Sequence, residues 1–307
     1  METCGDIGET VAALRARARQ DGQLLVVGEA DLEAVAHACG VPTREVIRLG
    51  LEAGMVPARY VRNLGVIGIE GQLRLLNAQA TVIGLGGAGA LVADNLARAG
   101  VGTLVLVDRD VFEETNLNRQ LLASSSTIGR SKAEVAGERI RQVNPHTQVI
   151  VRWQALTEET ARSLLEEPFG EVHRDRVVVD CLDSGRDRLV LQRACRELGL
   201  PLVHAAVGGW RGRVTLILPD GPGLEQFYDP SDVPTAAEIL ATGIASPVPT
   251  IMAAWEAGVA LRVLLGDKTG AGQVFTYDVA SGQGVTVPFS MARMSASWWR
   301  RRRRAAR

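Results

Sequence analysis

Hydrophobic positions recur along the chain in two rhythms. Residues 1–57 are rich in Ala and Arg and follow a helical spacing, interrupted at Asp21-Gly22, at Gly40-Val41-Pro42 and from Gly54 to Pro57. This pattern predicts a small helical N-terminal domain over 1–57. From about residue 78 short apolar runs alternate with amphipathic stretches. Strands are predicted at Ala80 to Gly84, Thr103 to Asp108, Gln148 to Trp153, Arg176 to Cys181 and Pro201 to Ala206. Helices are predicted between them, at Ala88 to Ala99, Ser131 to Val143, Glu158 to Leu165 and Gly185 to Leu198. Such alternation demands a parallel sheet, because parallel neighbours need a crossover long enough to hold a helix.

The order changes after Arg211. A strand at Val214 to Leu218 precedes a loop rich in Gly, Pro and Asp; then come a helix from Pro247 to Leu265 and two short strands, Gln273 to Asp278 and Gly284 to Pro288. Ser281-Gly282 marks the turn of a hairpin between these two strands. The predicted fold is therefore α/β: a Rossmann-like, mostly parallel sheet with helices on both faces and an antiparallel C-terminal extension. It occupies residues 58–290, behind the N-terminal domain and ahead of a basic tail, 291–307.

Composition narrows the class. The chain has 307 residues, 46% hydrophobic and 22% charged, which describes a globular protein able to bury a large core. Formal charge is −1, yet Arg300, Arg301, Arg302, Arg303, Arg304 and Arg307 crowd the last eight residues, so the body is net acidic and nucleic acid is an unlikely partner for it. Cys4, Cys39, Cys181 and Cys195 never form C-x-x-C, which argues against zinc. Glu2, Asp6 and Glu9 occupy the place of a secretory signal, and the apolar stretch Ile251 to Leu265 is broken by Glu256 and Arg262, short of the roughly 20 residues of a membrane span. A cytoplasmic protein without a membrane span is expected.

The chemistry begins at Gly84-Leu85-Gly86-Gly87-Ala88-Gly89, a G-x-G-x-x-G between a predicted strand and a predicted helix. Gly84, Gly86, Gly87 and Gly89 permit a tight turn and a close approach of phosphate oxygens to amides at the positive end of the helix. Asp108 ends the next strand, 19 residues after Gly89, where a carboxylate can accept ribose hydroxyls. These features alone indicate a nucleotide or dinucleotide site. Asp110, Asn116, Arg119 and Lys132 then add a carboxylate, an amide and two cations; a triphosphate needs such cations more than a dinucleotide does. Lys132 is one of only two lysines, although a solvated surface lysine is its ordinary role. Asp180 and Asp183 end an apolar strand, where Asp183 can hold magnesium near phosphates or cap the helix that follows. His204, at another strand end, reads best as a satisfied structural histidine, and Cys181 as core packing.

Taken together, these residues resemble the MoeB/ThiF/HesA group of the ubiquitin-activating-enzyme superfamily. The matching segments are Arg59-Tyr60-Val61-Arg62, Gly68 to Gln72, the glycine loop, Leu106 to Asp110, Asn116 to Gln120, Ile128 to Lys132, Asn144-Pro145-His146 and Asp180 to Asp183. The resemblance implies an ATP-dependent adenylyltransferase acting on the C-terminal Gly-Gly carboxylate of a ubiquitin-like sulfur-carrier protein, in molybdopterin or tungstopterin, thiamine or related sulfur metabolism. It implies that Asp108 holds the ribose, that Asn116, Arg119 and Lys132 contact the phosphates, and that Asp183 is the catalytic, magnesium-associated aspartate. Arg62 would reach the triphosphate of the opposite subunit, which makes the protein a homodimer.

The chain also departs from the group. Where relatives carry paired C-x-x-C zinc ligands it reads Gly221-Pro222-Gly223-Leu224-Glu225, so no zinc is expected. The loop from Asp220 to Pro247 lacks cysteine, so adenylation alone is expected, with sulfur delivered by a separate donor protein. Two other classes remain open. The glycine loop suits an NAD(P)-dependent dehydrogenase, and Leu32 to Leu51 scans as a helix-turn-helix that would suit a DNA-binding regulator with a nucleotide-sensing body. Arg44 and Arg48 are the only cations in that would-be recognition helix, and a docking role for the helical pair is favoured.

Overall fold

The computed structural model describes residues 6–166, 175–228 and 241–291. Expectations resting on Cys4, the middle of the 220–247 loop and the tail beyond Met291 lie outside them.

The N-terminal unit holds helices α1 (Ile7–Arg15), α2 (Glu29–Cys39) and α3 (Thr43–Glu52), but it is not purely helical. Strands β1 (Arg19–Asp21), β2 (Leu24–Val27) and β3 (Met55–Pro57) form a small sheet, with β1 antiparallel and β3 parallel to β2. This corrects the sequence expectation. Asp21-Gly22, read as a helix break, begins the turn of the β1–β2 hairpin, and the break from Gly54 to Pro57 contains a strand. Three- and four-residue strands are too short to impose an alternating pattern on the sequence.

A short 3-10 helix, Ala58–Asn63, leads into α4 (Leu64–Leu76), which is kinked at Gly68. The main sheet follows, with strands β4 (Gln79–Ile83), β5 (Thr103–Val107), β6 (Gln148–Arg152), β7 (Arg176–Asp180), β8 (Leu202–Gly208), β9 (Arg211–Ile217), β10 (Gln273–Asp278) and β11 (Gln283–Pro288). Their order is β11-β10-β9-β8-β7-β4-β5-β6. The five from β6 to β8 are parallel and the other three antiparallel. The crossing helices are α5 (Gly89–Ala99), α6 (Lys132–Val143), α7 (Ala161–Glu166) and α8 (Gly185–Glu197), with α9 (Pro247–Leu264) after β9.

Alternation along each strand divides the core in two. Ala80 and Val82 of β4, with Leu104 and Leu106 of β5, pack against α5, α6 and α9. Ile83, Val105 and Val107 face the other side, toward α7 and α8. Fully burying a Val or Leu contributes about 1.5–3 kcal/mol, so both layers are strongly held. Helix α9 contains the apolar stretch noted in the sequence and lies in the first core layer. Among the described residues no helix is long and apolar enough to cross a membrane.

A polar clamp joins the N-terminal unit to the main sheet. The Arg59 guanidinium donates to Glu29 of α2 at 2.9 and 3.0 Å and to Asn144 Oδ1 at 3.0 Å. Asn144 Nδ2 donates to the Tyr60 hydroxyl and to the Ala97 carbonyl, each at 2.8 Å, and His146 bonds Glu29. Two segments that carried the family resemblance, Arg59-Tyr60 and Asn144-Pro145-His146, thus meet each other. Arg44 donates to the Leu76 carbonyl at 2.7 Å, and Arg48 is paired with Glu45 and Glu52. Both cations of the would-be recognition helix are therefore engaged within the protein.

Asn144 is 1% exposed, and its loss leaves the buried Tyr60 hydroxyl without its donor and the Ala97 carbonyl with only the Gly100 amide. Asn144→Ala should cost about 2–4 kcal/mol in urea unfolding. A change below about 0.5 kcal/mol, the size of an ordinary surface substitution, would show that the clamp is decorative.

Candidate active site

The glycine loop spans the gap between the end of β4 and the start of α5, and its glycines are not equivalent. Gly84 has φ +89°, and a β-carbon there would stand 2.7 Å from the Cys181 carbonyl oxygen. A β-carbon on Gly89 would stand 1.8 Å from the Gly84 carbonyl oxygen, inside any permitted contact. These two glycines bring the loop against itself and against the exit of β7. At Gly86 and Gly87 the nearest atoms would be the Gln120 amide nitrogen at 3.4 Å and a Pro249 side-chain carbon at 3.2 Å. There a side chain would press on these neighbours without meeting a forbidden contact.

Asp108 ties this loop to the next strand. Its carboxylate accepts the Leu85 amide at 2.6 Å and the Asp110 amide at 2.8 Å. Burial pushes its pKa up, while these two backbone bonds and the nearby Lys132 charge pull it down. Each carboxylate oxygen keeps a further lone pair for a hydroxyl. Lys132 opens α6, capped by Ser131, and its ammonium lies 3.2 Å from Asp110 Oδ2. The Lys132 side chain is only 9% exposed against 55% for Asp110, so it is not an ordinary surface lysine.

Asn116 ends a 3-10 turn, Glu114–Asn116, and its side-chain oxygen accepts the Glu113 amide at 3.1 Å. Arg119 is half-buried, its guanidinium folded onto the Thr115 carbonyl and Asn118 at 2.9 and 2.8 Å. It is the Arg119 main chain, not its side chain, that lies against Gly87. Gln120, absent from the sequence-derived site, is buried beside Gly86, and its Oε1 has no partner among the described residues. Its place in the Asn116 to Gln120 segment was the only signal available.

Asp183 follows β7 and is exposed. It does not cap the next helix: Ser184 does, accepting the Asp187 amide at 3.3 Å. Behind it lies a buried polar cluster that the sequence did not announce. His204 Nδ1 donates to Asp180 Oδ2 at 2.7 Å, with both side chains 0% exposed. Asp180 Oδ1 accepts the Leu182 amide at 3.0 Å, and Arg188 donates to the Leu182 carbonyl. Both polar groups of Leu182, the residue before Asp183, are therefore held. Arg188 also meets the Tyr228 hydroxyl, which receives Arg213 at 2.9 Å and lies 3.3 Å from His204 Nε2. Burial lowers the His204 pKa to about 4, so the ring is neutral and the Tyr228 proton can point to Nε2.

On the opposite side of Asp180, the Cys181 thiol donates to Glu256 Oε2 at 3.4 Å. Burial pushes the pKa of both groups well up, and the Asp180 charge adds to the shift. Such a thiol is not a nucleophile. Glu256, which broke the apolar stretch of α9 in the sequence, is fully buried.

Arg62 stands apart. It is exposed on the Ala58–Asn63 turn, and no hydrogen bond among the described residues joins it to the loop, Asp108, Lys132 or Asp183. The Gly221 to Glu225 turn is held by protein contacts: Glu225 accepts Gln192 at 2.7 Å and Arg196 at 3.2 Å. No group of three or more His, Cys, Asp or Glu poised for a metal occurs among the described residues.

The buried acid and histidine give stability opposite pH dependences. Below pH 6.5 the unfolded chain protonates His204 while the folded chain resists until about pH 4, so stability falls on acidification through that window. Glu256 keeps its proton in the folded state above the ordinary 4.5, so its contribution declines as pH rises beyond that value. Urea unfolding of Glu256→Gln should match the unsubstituted protein near pH 4.5 and exceed it progressively toward pH 8.5. Parallel pH profiles would contradict a protonated buried Glu256.

The chain matches the ThiF family model over residues 60–297. It is 35% identical over 228 residues to the sulfur carrier protein ThiS adenylyltransferase of Escherichia coli, covering 73% of this chain and 88% of that protein. It is 34% identical over 235 residues to SAMP-activating enzyme E1 of Haloferax volcanii, covering 75% and 84%. Among solved structures, Escherichia coli MccB with succinimide aligns with TM-score 0.62 at 20% identity, covering 84% of this chain and 82% of that one. Escherichia coli TcdA, a tRNA N6-threonylcarbamoyladenosine dehydratase, aligns with TM-score 0.55 at 25% identity, covering 68% and 94%. With the glycine loop, Asp108, Lys132 and Asp183 all inside the matched span, the chain belongs to the ThiF family and is an adenylyltransferase of the MoeB/ThiF group of the ubiquitin-activating-enzyme superfamily.

Proposed function

We propose that this enzyme uses ATP to adenylate the C-terminal Gly-Gly carboxylate of a ubiquitin-like sulfur-carrier protein, releasing pyrophosphate. The observation that carries this reading is the chain of contacts from the Leu85 amide through Asp108 and Asp110 to the buried Lys132 ammonium. It sets a cation beside a loop suited to phosphate and a carboxylate suited to ribose. A carrier oxygen bonds to the α-phosphorus; the bond from that phosphorus to the bridging oxygen breaks, and its electron pair leaves on pyrophosphate.

The step brings an anion to an anion, so fixed positive charge is the main catalytic requirement. Lys132 supplies it from α6, and Arg119 does so once its guanidinium leaves Thr115 and Asn118. Asn116 lines the same segment. Arg62 does so from a second subunit, since no hydrogen bond among the described residues of its own chain joins it to the loop; the working unit is a homodimer. Asp183, an exposed hard oxygen donor at the strand end, suits magnesium, whose charge would neutralise phosphate oxygens. Cys181 is half-buried and its thiol is hydrogen-bonded to Glu256, which supports adenylation alone with sulfur from a separate donor protein. The carrier falls within molybdopterin or tungstopterin, thiamine or related sulfur metabolism, and the setting is cytoplasmic.

Labelled pyrophosphate should enter ATP only when a Gly-Gly-ending carrier is present; exchange without carrier, or none with any carrier, would refute the reading. Lys132→Ala should slow exchange by roughly 10²–10³. Arg62→Ala and Asp183→Asn should each be inactive, yet mixing them should restore roughly a quarter of the sites, because half the dimers are mixed and each has one intact pocket. Proven subunit exchange without recovery would eliminate an arginine donated across the dimer.

A further inference from the structure

Trp153 is 59% exposed, an unusual state for so large an apolar ring, and no part of the reaction described above uses it. It follows the last residue of β6 directly. Its indole nitrogen donates to the Arg109 carbonyl at 2.9 Å, so the ring is anchored by one edge while its surface stays open. Arg109 immediately follows Asp108, whose amide donates to the Arg152 carbonyl at 3.2 Å. The indole is therefore pinned beside the residue proposed to hold the ribose.

The sheet supplies the rest of the geometry. Strands β4, β5 and β6 are consecutive parallel neighbours, and their C-terminal ends carry, in order, the glycine loop, Asp108 and Trp153. Neighbouring strands lie about 4.8 Å apart, so the row spans roughly 10 Å. A nucleotide bound with its phosphates at the first position and its ribose at the second must send its base toward the third. What stands there is a flat aromatic surface held in place before the ligand arrives, which lowers the ordering cost of binding. Because every base has a π-face, stacking contributes affinity without discriminating between bases.

We infer that Trp153 is the stacking platform for the nucleotide base, an affinity anchor that does not select adenine over guanine. The inference rests on the proposed ATP site. Titrations of the full-length protein with ATP, GTP and inorganic tripolyphosphate, each with magnesium, test the two separately. Trp153→Ala should weaken ATP and GTP by the same factor, roughly 5- to 100-fold from the usual strength of base–aromatic stacking. Tripolyphosphate, which has no base, should bind as before. Trp153→Phe keeps a ring, so it should lose less affinity while abolishing the tryptophan fluorescence change that ATP produces in the unsubstituted protein.

ATP affinity of Trp153→Ala within twofold of the unsubstituted protein would overturn the inference. So would an equal loss for tripolyphosphate, or an ATP-induced fluorescence change that survives in Trp153→Phe. A raised KM for the carrier with unaltered ATP affinity would assign the indole to protein docking and likewise overturn it. Failure of the unsubstituted protein to bind either ATP or tripolyphosphate would instead refute the ATP site itself.

Discussion

A β-carbon has no room at Gly89, where it would fall 1.8 Å from the Gly84 carbonyl oxygen, and little at Gly84, where it would meet the Cys181 carbonyl. These two contacts draw the first turn of the main sheet into a coil tight enough to touch the exit of β7. Everything assembled at the C-terminal edge depends on that closeness. The Leu85 amide can then reach Asp108, which in turn holds the Asp110 amide and so sets the carboxylate that meets Lys132. Parallel strands end on the same side, so one compact turn is enough to gather residues nearly a hundred positions apart in the chain.

The acids behind the strand ends are neutralised within the fold. Asp180 and Glu256 are buried behind the strand ends, the first neutralised by Arg188 and hydrogen-bonded to His204, the second kept protonated by burial. A buried anion without such partners would cost far more than an ordinary polar contact repays. The cluster's consequence at the surface is rigidity: Asp180 and Arg188 grip both ends of the Leu182 peptide unit, so Asp183 emerges from a fixed backbone. A fixed charge is worth more to a reaction than a mobile one, because no reorganisation is required when the transition state forms.

The family match begins at residue 60, so nearly all of the N-terminal unit lies outside it. That unit is nonetheless fastened to the matched region by Arg59, Asn144 and His146 around Glu29, and by Arg44 against Leu76. Its hydrophobic core also takes in Tyr60 and Leu76, so packing continues across position 57.

Much of the fold was legible because it is written locally. Alternating apolar runs and helical stripes respond to periods of two and 3.6 residues, and the glycine loop, Asp108 and Lys132 announce themselves within a few dozen positions. The three short strands of the N-terminal unit were missed, since three or four residues carry no period. The buried cluster was missed for a different reason. Asp180 and His204 are 24 residues apart, Cys181 and Glu256 are 75 apart, and Glu29 and His146 are 117 apart. Sequence alone determined the parallel sheet and the glycine loop at its edge, because both follow from spacing along the chain. Only the tertiary structure decided that Ser184 rather than Asp183 caps α8, that Cys181 is a hydrogen-bond donor to an acid, and that Trp153 faces outward, because burial and partnership are set by residues that spacing does not connect.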